Sequence, residues 1–198
     1  MTVRERLFIL RVIRHGDADA IVHVLNMQGA KLSLFARSAL RSKKRFGGGV
    51  LEPTHYIEAL YRPGREAGAE RRLGVLQEAA LIEDFAAIRQ DYDRLQLAFY
   101  VLDVVSRISQ EGTQDGGDIF NLLGNTLRAI ATNRHLERLR THFEIKVLNY
   151  QGILPVLENA ENFLRVSTQD CDKIEMKSHL WPQFKQRVHE ALHEYISR

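Results

Sequence analysis

Two stretches of this 198-residue chain hold residues whose types and spacing could do chemistry. The first is His189-Glu190-Ala191-Leu192-His193. On a helix the two histidines share a face, and a glutamate between them could act as general base on a zinc-bound water. A catalytic zinc needs a third protein ligand, usually well downstream, and only Glu194 to Arg198 follow. The expectation is therefore an ordinary helix with polar residues outward and no metal, with a zinc hydrolase kept as an alternative.

The second stretch is Arg37-Ser38-Ala39-Leu40-Arg41-Ser42-Lys43-Lys44-Arg45-Phe46-Gly47-Gly48-Gly49. From Lys31 to Leu51 there are six cations (Lys31, Arg37, Arg41, Lys43, Lys44, Arg45) and no Asp or Glu. Like charges this dense repel, so the segment is expected to be extended and solvated until an anion neutralises it. Nucleic acid presents anions at short, regular spacing. Phe46 offers a flat ring on which a base could stack, and the glycines let the backbone turn sharply. The plain alternative is a solvated loop that serves solubility.

The elements that must position these residues fall into two classes. Arg6–Ile13, Ala20–Leu25, Lys31–Ala36, His55–Tyr61 and Leu73–Leu81 read as strands, separated by turn signals at His15-Gly16-Asp17, Asn26 to Gly29 and Arg62 to Gly68. Five short strands followed by helices point to an α+β chain with an OB-fold barrel, which binds oligonucleotides on one face and its loops. Arg11, Arg14 and Lys31 are expected on the wall of that barrel and join the candidate DNA-binding set.

Beyond Glu83 apolar residues recur at helical spacing, from Tyr92 to Ile108 with a stop at Glu111-Gly112. After the break at Gly116-Gly117, Asp118 opens a helix carrying Ile119 to Ile130. Leu136–Leu148 forms another helix, ended by Gly152 and Pro155. Trp181–Ile196 is the last, with Pro182 in its first turn. The expected division is residues 1–82 for the barrel and 83–198 for the helices. Arg138 and Arg140 lie on the most apolar helical segment. They are expected on a solvated face, or beside an apolar groove that captures an acidic peptide tail.

Charge is split as the classes are: residues 1–80 hold 14 Lys or Arg against 8 Asp or Glu, and residues 81–198 hold 14 against 17. A lone cysteine, Cys171, excludes an internal disulfide and a cysteine-rich zinc site, and fits a reducing cytoplasm. Met1 to Arg6 does not read as a signal peptide, and no apolar run approaches ~20 residues, so no membrane association is expected. The glycines at 47–49 follow the lysines rather than precede a Gly-Lys-Ser/Thr, so the order of a phosphate loop is absent.

The ordered set of features resembles the RecO family of bacterial recombination mediators. It runs through Asp17-Ala18-Asp19-Ala20-Ile21-Val22-His23-Val24-Leu25, Arg41 to Pro53 and Phe143-Glu144-Ile145-Lys146-Val147-Leu148-Asn149-Tyr150-Gln151-Gly152-Ile153-Leu154-Pro155. The resemblance implies an N-terminal OB-fold and a C-terminal helical domain. It implies binding of single- and double-stranded DNA, annealing of complementary strands, and help in loading RecA onto DNA covered by single-strand-binding protein. It implies RecR and the tail of single-strand-binding protein as partners, no cofactor, no catalysis, and a place in the cytoplasm with the nucleoid. An RNA-binding OB module is the alternative that the same loop would serve. Some relatives carry a four-cysteine zinc site, which one cysteine cannot make, and many have glycine where Ser38 stands. The purified protein should hold no stoichiometric zinc. One zinc per chain by elemental analysis, lost in His193→Ala, would overturn the non-enzymatic reading.

Overall fold

The computed structural model describes residues 1–64, 66–67, 70–71, 73–109 and 117–197, with the side chains of Lys43 and of 66–71 left aside. The expected helix stop at Glu111-Gly112, and Gly116 and part of the connector to Gly68, lie outside the described residues. By packing, the chain forms two compact units. One comprises Met1–Phe85 and Val105–Phe120, the other Ala86–Val104 and Asn121–Arg198.

In the first unit, β1 (Val3–His15), β2 (Asp19–Asn26) and β3 (Lys31–Ala36) form an antiparallel meander. A four-residue helix α1 (Lys43–Phe46) and β4 (Tyr56–Arg62) follow. A small hairpin, β5 (Glu66–Ala67) with β6 (Glu70–Arg71), leads to β7 (Gly74–Glu83). The order β1-β2-β3-β7-β4 closes into a barrel, with β4 back on β1. This is the OB-fold architecture expected of the N-terminal half. The strands form because β-branched and aromatic residues alternate with polar ones. Leu7, Ile9, Val22, Val24, Leu34, Ile57 and Leu76 fill the interior.

The run from Arg37 to Gly49 is not extended, contrary to expectation. Ser42 and Arg41 amides donate to the Ser38 carbonyl at 2.9 and 3.1 Å, and α1 follows. Its repulsion is overcome because Phe46 and Val50 enter the barrel core. Gly47 and Gly49 make the return possible at φ +57° and +78°, where a side chain is strained.

The second unit is helical. A 3-10 turn Ala86–Gln90 leads into α2 (Tyr92–Ile108), which is followed by α3 (Asp118–Thr132) and α4 (Leu136–Tyr150). Next come α5 (Ala160–Arg165), a 3-10 turn Thr168–Lys173 and α6 (Trp181–Ile196). The end of α4 is a Schellman motif: Ile153 N–H donates to the Leu148 carbonyl and Gly152 N–H to that of Asn149, with Gly152 at φ +69°. The middle of α4 is buried on all sides, with Thr141, His142, Phe143, Glu144 and Ile145 inside in succession. It packs on α5, α6 and the second 3-10 turn.

His142 on α4 is fully buried. Its Nε2 lies 3.1 Å from the Val166 carbonyl, and its Nδ1 has no hydrogen-bond partner among the described residues. Burial pushes its pKa down to about 4. Above pH ~7 the ring is neutral in both folded and unfolded chains. As pH falls from 6.5 towards 4, only the unfolded chain gains the proton, so stability is lost in that window. A full shift would cost roughly 3 kcal/mol. Urea unfolding at stepped pH should show this fall, and His142→Gln should remove most of it. An unchanged profile in the variant would assign the loss elsewhere.

Candidate nucleic-acid interface

β3 runs directly into the basic segment, so its pleat decides where that segment starts. Leu34 and Ala36 face the core, whereas Lys31, Ser33 and Phe35 are on the outer side and half-buried. The first turn beyond β3 is fastened to the β1–β2 connection. Ser38 N–H donates to Asp19 Oδ1 at 2.7 Å, and Leu40 N–H to the Ala18 carbonyl at 2.9 Å. Ser38 holds φ +55°, the left-handed region that favours glycine.

Arg37, Arg41 and Lys44 are exposed on this folded loop. The side chain of Lys43 is outside the described set. Arg45 is half-buried and bound within the loop. Its Nη2 donates to the Arg37 carbonyl at 2.6 Å, its Nε to Ser42 Oγ at 3.2 Å, and its guanidinium lies 5.1 Å from the Phe46 ring centroid. Phe46 is 1% exposed. The expectation that a base stacks on it is therefore corrected, because the ring is part of the barrel core. On the barrel wall Arg11 and Arg14 are exposed, and Lys31 donates to the Ser106 carbonyl at 2.7 Å. So the loop and β1 offer cations outward, while Lys31 and Arg45 are engaged inside the unit.

Three outward aromatic residues near these cations were not picked from the sequence: His15, His23 and Phe35. Cross-strand pairing sets Arg11 beside His23 and His23 beside Ser33, with His23 Nδ1 2.9 Å from Ser33 Oγ. It sets Ile13 beside Ile21 and Ile21 beside Phe35. The signal was available: in Lys31-Leu32-Ser33-Leu34-Phe35-Ala36 the polar phase ends on an aromatic residue.

In the helical unit the two candidate partner-binding arginines have intramolecular contacts. Arg138 donates to the carbonyls of Asp172 and Ile174, both at 3.0 Å, and lies over Trp181. Arg140 Nε donates to Glu144 Oε1 at 3.0 Å and its guanidinium sits 4.2 Å from the Tyr100 ring centroid. Glu144 has a side chain only 2% exposed, and it also accepts from Tyr100 Oη at 2.6 Å. Burial, then the adjacent carboxylate, pushes the Tyr100 phenol well above its ordinary pKa. His189 Nδ1 is 3.0 Å from the same Glu144 oxygen. Glu190 accepts from Gln186, and the rings of His189 and His193 are 6.3 Å apart. Among the described residues no group of three His, Cys, Asp or Glu side chains could hold a metal. Cys171 is buried, and burial raises its thiol pKa to about 11, which leaves little thiolate for nucleophilic attack.

Similarity to known proteins agrees with the barrel and the helices. Residues 1–85 match the family described as Recombination protein O N terminal, and residues 89–162 match Recombination protein O C terminal. The chain belongs to the RecO family. It is 30% identical over 158 residues to the DNA repair protein RecO of Alkaliphilus metalliredigens, covering 79% of this chain and 61% of that one. It is 35% identical over 152 residues to that of Syntrophus aciditrophicus, covering 76% and 56%. With that of Syntrophobacter fumaroxidans it shares 29% over 177 residues, covering 88% and 68%. The chain thus spans a little over half to about two thirds of the RecO proteins it matches. Among the described residues no helix is long and apolar enough to cross a membrane.

The burial of Phe46 has a direct consequence. Phe46→Ala should lower unfolding stability by ~3–5 kcal/mol, as large-to-small changes of a buried ring do. Urea denaturation checks this, and a loss below ~1 kcal/mol would place the ring outside the core.

Proposed function

We propose that this RecO-family chain is a non-enzymatic DNA repair and recombination mediator. It binds single- and double-stranded DNA, anneals complementary strands, and helps load RecA onto DNA covered by single-strand-binding protein. The observation that carries this is the folded loop after β3, which holds Arg37, Arg41 and Lys44 outward and is tied to Asp19 and Ala18. Annealing needs no covalent chemistry. Two phosphate backbones repel, a cationic surface between them lowers that repulsion, and the bases remain available to pair. A loop already folded loses less conformational entropy on binding than an extended one. RecR and the tail of single-strand-binding protein are its proposed partners, and the nucleoid its place. The groove beside Arg140, lined by Leu97, Tyr100, Arg134 and Leu136 and also by Asp93 and Glu137, is the proposed seat for that tail.

Binding to an unpaired oligonucleotide should fall with log salt at about −0.7 per phosphate contacted. Replacing Arg37, Arg41 and Lys44 together by Ala should flatten the slope by ~2, equally for all base sequences, because phosphate contacts carry no sequence information. Strand annealing, with and without single-strand-binding protein, should slow in the same variant. An unchanged slope in the folded variant would return the loop to a solubility role.

A further inference from the structure

We infer that Phe35, on the outer face of β1–β2–β3, is the surface on which an unpaired DNA base stacks. This rests on the DNA-binding reading above and deepens it. It separates a contact that serves only single strands from cations that serve both forms of DNA.

The outer face is built of cross-strand rows. Arg11, His23 and Ser33 make one row, and Ile13, Ile21, Phe35 and Val75 make the next. His15 and Asp19 pair beyond it. Successive rows are about 7 Å apart, two residues along each strand. The second row is apolar although it points away from the core. Its neighbours Val22, Leu34 and Ala36 fill the interior, so Phe35 is not needed there. Ile13 is 37% exposed, and Ile21, Phe35 and Val75 are half-buried. The His15 ring stands nearly perpendicular to Phe35, at 81° with centroids 5.8 Å apart. The other end of the same face is covered. Phe8 packs on Phe120 at 4.9 Å and Lys31 reaches the Ser106 carbonyl, both within this unit. Among the described residues the end bearing Phe35 has no such aromatic or lysine cover.

Charge identifies what covers it. Arg11 lies one row away on the same face, and the exposed Arg37 opens the turn that follows β3, two residues beyond Phe35. The nearest acid in the rows, Asp19, accepts the Ser38 amide, so it serves to hold the loop. An apolar ring within a cationic rim suits a polymer that alternates flat bases with phosphates. In a duplex the bases are already stacked on one another and hidden, so only an unpaired strand offers a face to Phe35.

The test compares three fluorescent DNA ligands of equal length with the full chain: oligothymidylate, an abasic oligonucleotide, and a duplex. Phe35→Leu keeps apolar bulk but loses the aromatic face. It should weaken oligothymidylate binding by ~5- to 150-fold and leave the duplex, the abasic strand and the salt slope unchanged. Phe35→Trp should restore oligothymidylate binding and show fluorescence quenching above that of Trp181 in the parent chain. Thermal melts confirm that both variants are folded. Equal loss on all three ligands, or no loss on oligothymidylate, would overturn the stacking assignment while the DNA-binding reading stands. Failure of the unaltered chain to bind any of the three would overturn both.

Discussion

Closure of the barrel depends on one short parallel seam, in which Leu34 pairs with Gly74 and Phe35 with Val75. Every other neighbour in the barrel pairs antiparallel over a longer register. Position 74 must be small for the seam to form. A Cβ there would stand 2.7 Å from Leu34 Cδ2 and 3.0 Å from the Arg62 carbonyl oxygen. Side chains alternate across a pleat, so seating Leu34 inside fixes Phe35 outside and starts the basic loop on the outer side. A slip of one residue would bury Phe35 and Ser33 and expose Leu34. The seam therefore sets the orientation of the whole candidate DNA surface.

Five cations in nine residues would keep an isolated segment open. Here two apolar residues decide otherwise. Burial of Phe46 stabilises by about 1.5–3 kcal/mol, and Val50 adds to it. Surface repulsion between solvated charges is of order 1 kcal/mol per close pair in water and is screened by salt. Arg45 also turns its donors onto the Arg37 carbonyl and Ser42, so one cation of the run helps fold it. The result is a loop whose remaining exposed charges keep a fixed outward direction.

Much of this was legible. The alternation in β3 gave its limits at Lys31 and Ala36, and the helical periods gave α2 and α6 from Tyr92 to Ile108 and Trp181 to Ile196. These signals are local, and tertiary packing agrees with them. Two phenylalanines were harder to read from the sequence. Phe46 follows a charge run, and only the barrel interior tells it to turn inward. Phe35 sits in a strand expected to have one buried face, and it was given no role, although its phase with Lys31 and Ser33 marked it as outward. The short 3-10 turns have too few residues to show a period. Even so, Ser167 accepting the Asp170 amide is a cap that Ser-Thr-Gln-Asp could have announced.

α4 treats its cations differently, and the reason is the burial of its middle, Thr141 to Ile145. Polar side chains beside such a buried stretch must be satisfied within the protein. Arg138 donates to the carbonyls of Asp172 and Ile174, at the end of the Thr168–Lys173 turn. Lys146 donates to the Leu164 carbonyl at 2.5 Å, and His142 lies against that of Val166, at the end of α5. Terminal carbonyls of helical segments lack backbone partners and carry partial negative charge, so cationic donors suit them. Arg140 compensates the buried Glu144 carboxylate, which would be costly if left unpaired. Cations used in this way hold short segments in place and contribute little to an external field. The loop after β3 has no such burial imposed on Arg37, Arg41 and Lys44. The sequence surplus of positive charge in residues 1–80 is thereby sharpened in the folded chain, because more of the barrel unit's cations than of α4's remain turned to solvent.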